Sequence, residues 1–344
     1  MKKHAIIPIF IPHRGCPNDC VFCNQKIITA RTAEVTPQDA ERIIRQHLTT
    51  LQGRGLEEIE VAFFGGSFTG IPLEDQSAFL QVACRFKKAG LIDRIHMSTR
   101  PDYIDERILD NLQRYEADVI ELGVQSFSED VLRACKRGHT VDDVYRACEL
   151  IKDRGFTLGI QLMIGLPGDT REKAVHSAKC AVSCDPELAR LYPTVVLPDT
   201  ELAAMCRAGD YRPLSEEEAV SITAEMYKIL DDAGITILRV GLKSTDLVTR
   251  DVDLGGSYHP AFRQLVEGRI ALERIEAAIK DGLQDQGHAP AAIRVESNAH
   301  SFSSMIGHHA CNRKKLAAEY PSTEFQWAEN NDLKDNRYYV RINP

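Results

Sequence analysis

Gly15-Cys16-Pro17-Asn18-Asp19-Cys20-Val21-Phe22-Cys23 sets three cysteines within eight residues, spaced C-x3-C-x2-C, straight after the apolar run Ala5–Ile11. Thiolates this close can serve one metal centre, and soft sulfur ligands select zinc, copper(I) or iron–sulfur clusters. The decisive feature is the lack of a fourth cysteine in the loop. A structural zinc or an ordinary cubane cluster takes four protein ligands. Three cysteines on a loop after a strand leave one iron of a cluster open to another group. The competing reading is three buried, redox-silent thiols.

Composition narrows the setting. The 344 residues are 43% hydrophobic and 27% charged, with a net charge of −8. This is an ordinary globular chain of two or so domains, not a generally basic nucleic-acid binder, though a local basic face is compatible with it. The start, Met1-Lys2-Lys3-His4, could imitate a signal peptide, but Pro8 and Pro12 break the apolar run and no small-residue cleavage site follows. No stretch approaches the roughly eighteen apolar residues of a membrane span. Ten cysteines in a chain of this size suit a reducing compartment better than a disulfide scaffold, so a cytoplasmic location is expected.

Short β-rich runs alternate with helical patterns. Strands are expected at Ala5–Ile11, Ile59–Phe64, Arg94–Ser98, Val119–Val124, Thr157–Ile164 and Leu188–Val196. Helices are expected at Pro37–Leu51, Leu73–Lys88, Val141–Arg154 and Arg171–Ser183, with Thr36-Pro37 and Thr140 as starts. Such alternation gives βαβ units and a parallel α/β sheet, whose ligand residues gather at the carboxyl ends of the strands. At those ends lie Gly65-Gly66-Ser67, Ser98-Thr99-Arg100-Pro101-Asp102-Tyr103, Gln125-Ser126-Phe127, Lys136-Arg137-Gly138-His139, Gln161 to Gly168 and Tyr192-Pro193-Thr194. Each alone reads as a turn, a core residue or a solvated charge; six in this order do not.

The cysteine spacing is the signature of the radical S-adenosylmethionine (radical SAM) proteins, and the chain resembles that superfamily. The fold so implied is a partial (β/α)6 TIM-like barrel with a small C-terminal α+β extension. Within it, the motifs resemble the catalytic subunit of Elongator, which modifies the tRNA wobble uridine. Tyr192-Pro193-Thr194, Arg239-x-Gly241-Leu242 and Gly256-x-Tyr258-His259-Pro260-x-Phe262 carry the likeness over roughly residues 4–270. A more distant likeness, to oxygen-independent coproporphyrinogen oxidases, is confined to the barrel.

The resemblance implies a 4Fe–4S cluster on Cys16, Cys20 and Cys23, with SAM on the open iron and an electron donor such as flavodoxin or ferredoxin. It assigns SAM contacts to Phe22, Gly65, Gly66, Ser67, Ser98, Gln125, Arg137 and Gln161. Tyr192, Arg239, Lys243, Tyr258 and His259 are candidates for the substrate side. Ser98 stands where both relatives carry glutamate, and Gln161 where they carry histidine or aspartate; both can still hydrogen-bond a hydroxyl. The Elongator subunit also has a segment before its barrel and an acetyltransferase domain after it. No acetyl-CoA loop is recognised after Pro260, so the expectation is radical chemistry on RNA, possible tRNA, without acetyl transfer. The alternatives are a small-molecule, tetrapyrrole-type enzyme and a catalytically silent cluster protein that binds RNA or a partner.

Three regions are expected: the barrel with its cluster loop (1–200), an extension over the substrate side (201–290) and a small unit (291–344). The last reads as strand Ala292–Glu296, helix Ser301–Ile306, turn 307–309, helix Cys311–Glu319 and strands Glu324–Trp327 and Arg337–Ile342. A βααβ order with Ile306-Gly307 before Arg313, Lys314 and Lys315 is similar to KH-type RNA modules, except that Ala310 replaces the second glycine of their loop. A plain packing unit with a solvated basic face is the alternative. Cys180 and Cys184, four apart on one helix, could join Cys206 in an auxiliary cluster, or all three could be small core hydrophobes. His308, His309 and Cys311 give a weak metal signature.

Overall fold

Local capping fixes where the helices begin. Thr36 accepts from the Asp39 N–H while Asp39 accepts from the Thr36 N–H, and Pro37 follows at the first helical position. Thr140 and Asp143 repeat this reciprocal box. Both starts are those expected from sequence.

The structure, a computed structural model, describes residues 4–11, 16, 20–24, 35–242, 258–283 and 290–343. The chain forms two compact units, Met1–Ser215 with Ile229–Tyr258 and Glu216–Lys228 with His259–Pro344.

The first unit is a parallel half-barrel sheet wrapped by helices. Its strands are β1 (His4–Ile11), β2 (Glu58–Gly65), β3 (Arg94–Thr99), β4 (Val119–Gln125), β5 (Thr157–Ile164), β6 (Leu188–Pro193) and β7 (Thr236–Val240). They lie side by side in chain order, each parallel to the next. Between them run α1 (Pro37–Leu51), α2 (Leu73–Lys88), α3 (Glu106–Arg114), α4 (Glu129–Ala134), α5 (Val141–Asp153), α6 (Arg171–Ser183) and α7 (Glu201–Ala208); a further helix, α8 (Glu216–Asp232), has its residues Glu216–Lys228 in the second unit. The half-barrel was expected with six strands; Thr236–Val240 adds a seventh. Strand six also stops at Pro193, short of the expected Val196. Thr194 leaves the ladder and turns its hydroxyl back to the Ile164 carbonyl at 2.7 Å.

Strand parity divides the sheet into two faces. Phe63 packs edge-on against Phe79 of α2, their centroids 6.0 Å apart. Residues in register with it, such as Met97 and Ile120, therefore face the helices and build the apolar core. The opposite parity carries His4, Glu60, Phe64, His96, Ser98, Glu121, Gln161, Arg190, Tyr192 and Arg239. The inner face is thus strongly polar.

The second unit centres on a three-stranded sheet, ordered β10 (Tyr339–Asn343), β8 (Ala292–Ser297), β9 (Glu324–Glu329). β9 runs parallel and β10 antiparallel to β8. Helices α9 (Phe262–Leu283), α10 (Phe302–Ile306) and α11 (Cys311–Glu319) complete it. Leu272, Ile275, Ile279, Ile293, Val295, Met305 and Leu316 form its core. The buried Asn312 amide donates to the Gly268, Ser304 and Met305 carbonyls at 2.8, 3.1 and 3.3 Å. This pins the turn Gly307-His308-His309-Ala310, in which Gly307, His309 and Ala310 all have positive φ. The expected βααβ order is present.

Candidate active site

The cysteine loop leaves the carboxyl end of β1, and hydrogen bonds fix its second half. The Val21 N–H donates to the Cys135 carbonyl at 3.2 Å, the Leu202 N–H donates to the Val21 carbonyl at 2.8 Å, and the Asn24 amide donates to the Pro198 carbonyl at 3.1 Å. Val21 is buried among Val131, Cys135, Leu166, Val196 and Leu202, with Phe22 half-buried against the same cluster. Cys20 is buried, while Cys16 and Cys23 are half-buried.

Two arginines reach this loop. Arg137, between α4 and α5, donates from Nη1 to the Cys20 sulfur at 3.2 Å and from Nη2 to the Gly123 carbonyl at 2.7 Å. Arg100, just after β3, is buried and held by Asp102. Burial raises the Cys16 thiol pKa, and the charges of Arg100 and Arg137 oppose that rise. The donor set fits an iron–sulfur cluster: three thiols, one with a charged N–H donor on its sulfur that would favour the thiolate. The three sulfurs do not all lie within 4.8 Å of one another. A single tetrahedral zinc would need pairs roughly 3.8 Å apart, from Zn–S bonds of about 2.3 Å.

The expected SAM residues fall into two sets. Gln125, Arg137 and Gln161 meet beside Cys20: Gln161 Nε2 donates to Gln125 Oε1 at 2.9 Å. A Cβ on Gly123 would come within 3.0 Å of the Gln125 amide and 3.5 Å of Arg137. Gln125 is held at φ 70, a cost concentrated at ligand sites. The glycine stretch packs on the end of β1. Gly66 N–H donates to the Ile11 carbonyl at 3.0 Å, and a Cβ on Gly65, whose φ is +116, would sit 2.8 Å from that oxygen. Ser67 is spent internally, its hydroxyl bonding Thr99 at 2.8 Å and accepting from the Arg100 N–H at 3.2 Å.

Ser98 donates to Glu121 at 3.2 Å and so belongs to an ionic layer below the mouth. There Arg190 Nε donates to Glu121 at 2.6 Å, and its Nη1 donates to the Tyr192 hydroxyl at 3.4 Å. The Arg190 guanidinium also stacks 5.0 Å from the Phe64 ring centroid. His96 bonds Glu60 at 2.5 Å, and its other nitrogen lies 3.7 Å from Glu121. Burial favours a neutral Glu60, but hydrogen bonds from His4 and His96 prevail and hold it at about 2. Burial raises the pKa of Tyr192. Glu60, His96, Glu121 and Arg190 were absent from the expected site. The available signal was one ionisable residue per strand at the parity of Ser98, Gln161 and Tyr192.

Of the substrate-side candidates, Tyr192 and Arg239 share the inner face, Arg239 in register with Arg190. Tyr258 is buried against Val195 and Leu197. His259 belongs to the second unit, its ring 5.4 Å from that of His308. Lys243 lies outside the described residues. The other cysteines scatter: Cys180 contacts His176 at 3.3 Å, Cys184 and Cys148 are buried, and Cys206 packs on the Val21 cluster. The only close ligand triad among the described residues is His4, Glu58 and Glu60.

A family model for the radical SAM superfamily matches residues 10–181, and one for the radical SAM C-terminal domain matches 186–271. The chain is 30% identical over 225 residues to a tRNA uridine(34) acetyltransferase of Methanocaldococcus jannaschii, covering 57% of this chain and 42% of that protein. It is 27% identical over 237 residues to human Elongator complex protein 3, covering 59% and 43%. It thus spans about two fifths of the length of these curated relatives. Among solved structures, archaeal Methanocaldococcus infernus Elp3 with an N-terminal deletion superposes with a TM-score of 0.63 at 23% identity, covering 83% of this chain and 64% of that one.

Proposed function

The chain belongs to the radical SAM superfamily, and on that premise we propose that it carries out radical chemistry on RNA of the tRNA class. Cys16, Cys20 and Cys23 would hold a 4Fe–4S cluster together with SAM; given one electron from an external donor such as flavodoxin or ferredoxin, the pair would supply hydrogen-abstraction chemistry, by cleavage of the SAM C5′–S bond to methionine and a 5′-deoxyadenosyl radical. The chain's own residues orient that chemistry and exclude competing reactions. The observation that carries the reading is Arg137, which grips Cys20 and the Gly123 carbonyl together and so ties the cysteine loop to the strand end bearing Gln125. Arg137 offers a cation for a carboxylate, and the Gln125–Gln161 pair offers amide groups for hydroxyls. Gly65 and Gly66 keep side chains out of the space beside β1, and Phe22 offers a ring. Tyr192 and Arg239 would face the substrate from the inner wall.

The RNA assignment draws on the relatives, whose names specify tRNA uridine 34 and Elongator. A cytoplasmic setting accords with it, and no helix among the described residues is long and apolar enough to cross a membrane. The test is anaerobic 5′-deoxyadenosine formation by the reconstituted protein, with and without bulk tRNA. Stimulation by tRNA is expected; turnover indifferent to tRNA would redirect the search to small molecules. Cys20→Ala should abolish the reaction, and a variant as fast as the parent would end the cluster assignment.

A further inference from the structure

Arg100 is only 3% exposed, and its surroundings account for all of its guanidinium except one nitrogen. Asp102 accepts from Nε at 2.9 Å and from Nη2 at 2.8 Å, a two-pronged grip along one edge of the plane. The Tyr103 ring lies 5.5 Å from the guanidinium carbon. The Arg100 backbone N–H donates to the Ser67 hydroxyl. Nη1 remains, buried and with no acceptor among the described residues. Because a guanidinium is rigid and planar, gripping the Nε–Nη2 edge fixes where Nη1 points. Arg100 sits beside the cysteine loop: the Thr99 carbonyl that precedes it and Nη2 of Arg137, whose Nη1 holds Cys20, both lie 3.5 Å from where a Cβ on Gly123 would stand. Ser67, which accepts from the Arg100 N–H, follows Gly66 on the Ile11 carbonyl at the loop's start. A salt bridge of purely local purpose, to a residue two positions away, would leave the remaining nitrogen in water rather than buried. Buried N–H groups without acceptors are rare and call for a partner that the protein itself does not supply.

We propose that Nη1 of Arg100 donates a hydrogen bond to a sulfur of the cluster held by Cys16, Cys20 and Cys23, and thereby raises the cluster's reduction potential. Hydrogen bonds to cluster sulfur withdraw electron density and stabilise the reduced, more negative state. Asp102 and Tyr103 act as positioning residues that hold the donor in place. Arg137 already serves Cys20 from the loop after α4, so donors would come from two separate segments. This inference rests on the cluster reading above.

The experiment is a dye-mediated redox titration of the anaerobically reconstituted full chain, without SAM, following the reduced cluster by electron paramagnetic resonance. Arg100→Met should shift the midpoint to lower potential and reduce the fraction of cluster reduced at a fixed poise. Arg100→Lys, which keeps charge but not the fork, should fall between. Asp102→Asn, which loosens the grip, should also shift downward. Should Arg100→Met fail to take up iron, the lysine and asparagine variants carry the test. Parent potentials at full iron content would overturn the proposal, as would a parent potential accompanied by loss of SAM affinity, which would make Arg100 a SAM ligand. A parent protein with no cluster signal would instead overturn the proposed function.

Discussion

Two residues after Arg137, His139 is 3% exposed, with one ring nitrogen 3.3 Å from the Val124 carbonyl and the other buried with no partner among the described residues. Burial lowers its pKa to about 4, helped by the charges of Arg137 and Arg100 and opposed by Asp102. Unfolding releases the ring to a value of 6.5. Between those values the unfolded chain binds more protons, so stability rises with pH across the window and is lost as pH falls from 6.5 toward 4. A shift of this size corresponds to roughly 3 kcal/mol. Urea melts from pH 7 to pH 4 should show this slope, and His139→Gln should flatten it. At this scale the cysteine triplet is marked by its spacing, whereas Gln125, Arg137 and Gln161 were expected only from the family resemblance, and the structure brings those three together beside Cys20. Arg100 is not legible in this way: what marks it is an idle buried nitrogen, which exists only once the chain has folded.

Among the elements, the contact between β4 and β6 is unusual for a barrel interior. Arg190 bonds Glu121 across the intervening β5, where Gly159 leaves room: a Cβ there would lie 3.3 Å from Glu121. Both charges are nearly inaccessible, with side-chain exposures of 10% and 3%. Removing one partner strands the other, which typically costs about 3–5 kcal/mol, whereas removing both costs far less. Glu121→Leu and Arg190→Met should each lower stability by that order, and the double variant should recover much of it in a denaturant-melt cycle. Near-additive losses would show that the pair is not coupled. The strands themselves were legible from their apolar runs, and α1 and α5 from their capping threonines. β7 was not, because Thr236–Val240 is only five residues long and carries Arg239 next to its end. The ionic layer was missed for a related reason. A lone charge in a strand reads as solvent-facing until neighbouring strands supply the register that turns it inward.

For the molecule as a whole, a net charge of −8 means that any RNA must be met by local cations. On the second unit Arg313 and Lys314 are exposed, while Lys315 is occupied by Glu276 at 2.6 Å. Under the proposed function, Arg313→Glu with Lys314→Glu should weaken tRNA binding and reduce the log–log salt slope by about 2, one per lost phosphate contact. An unchanged slope would assign RNA docking to other residues. The division of the chain was less legible than its motifs, since residues 216–228 join a unit whose other members begin at His259; sequence proximity gives no hint of that. The strand order of the half-barrel has a kinetic corollary. Registered partners in neighbouring strands are separated by as few as 23 positions (His96 with Val119) and by no more than 54 (His4 with Glu58). A sheet assembled this way has a modest contact order. As the ribosome releases each βα unit, the growing edge already waits for it, so the half-barrel can be laid down in the direction of synthesis, with no strand held back for a distant mate.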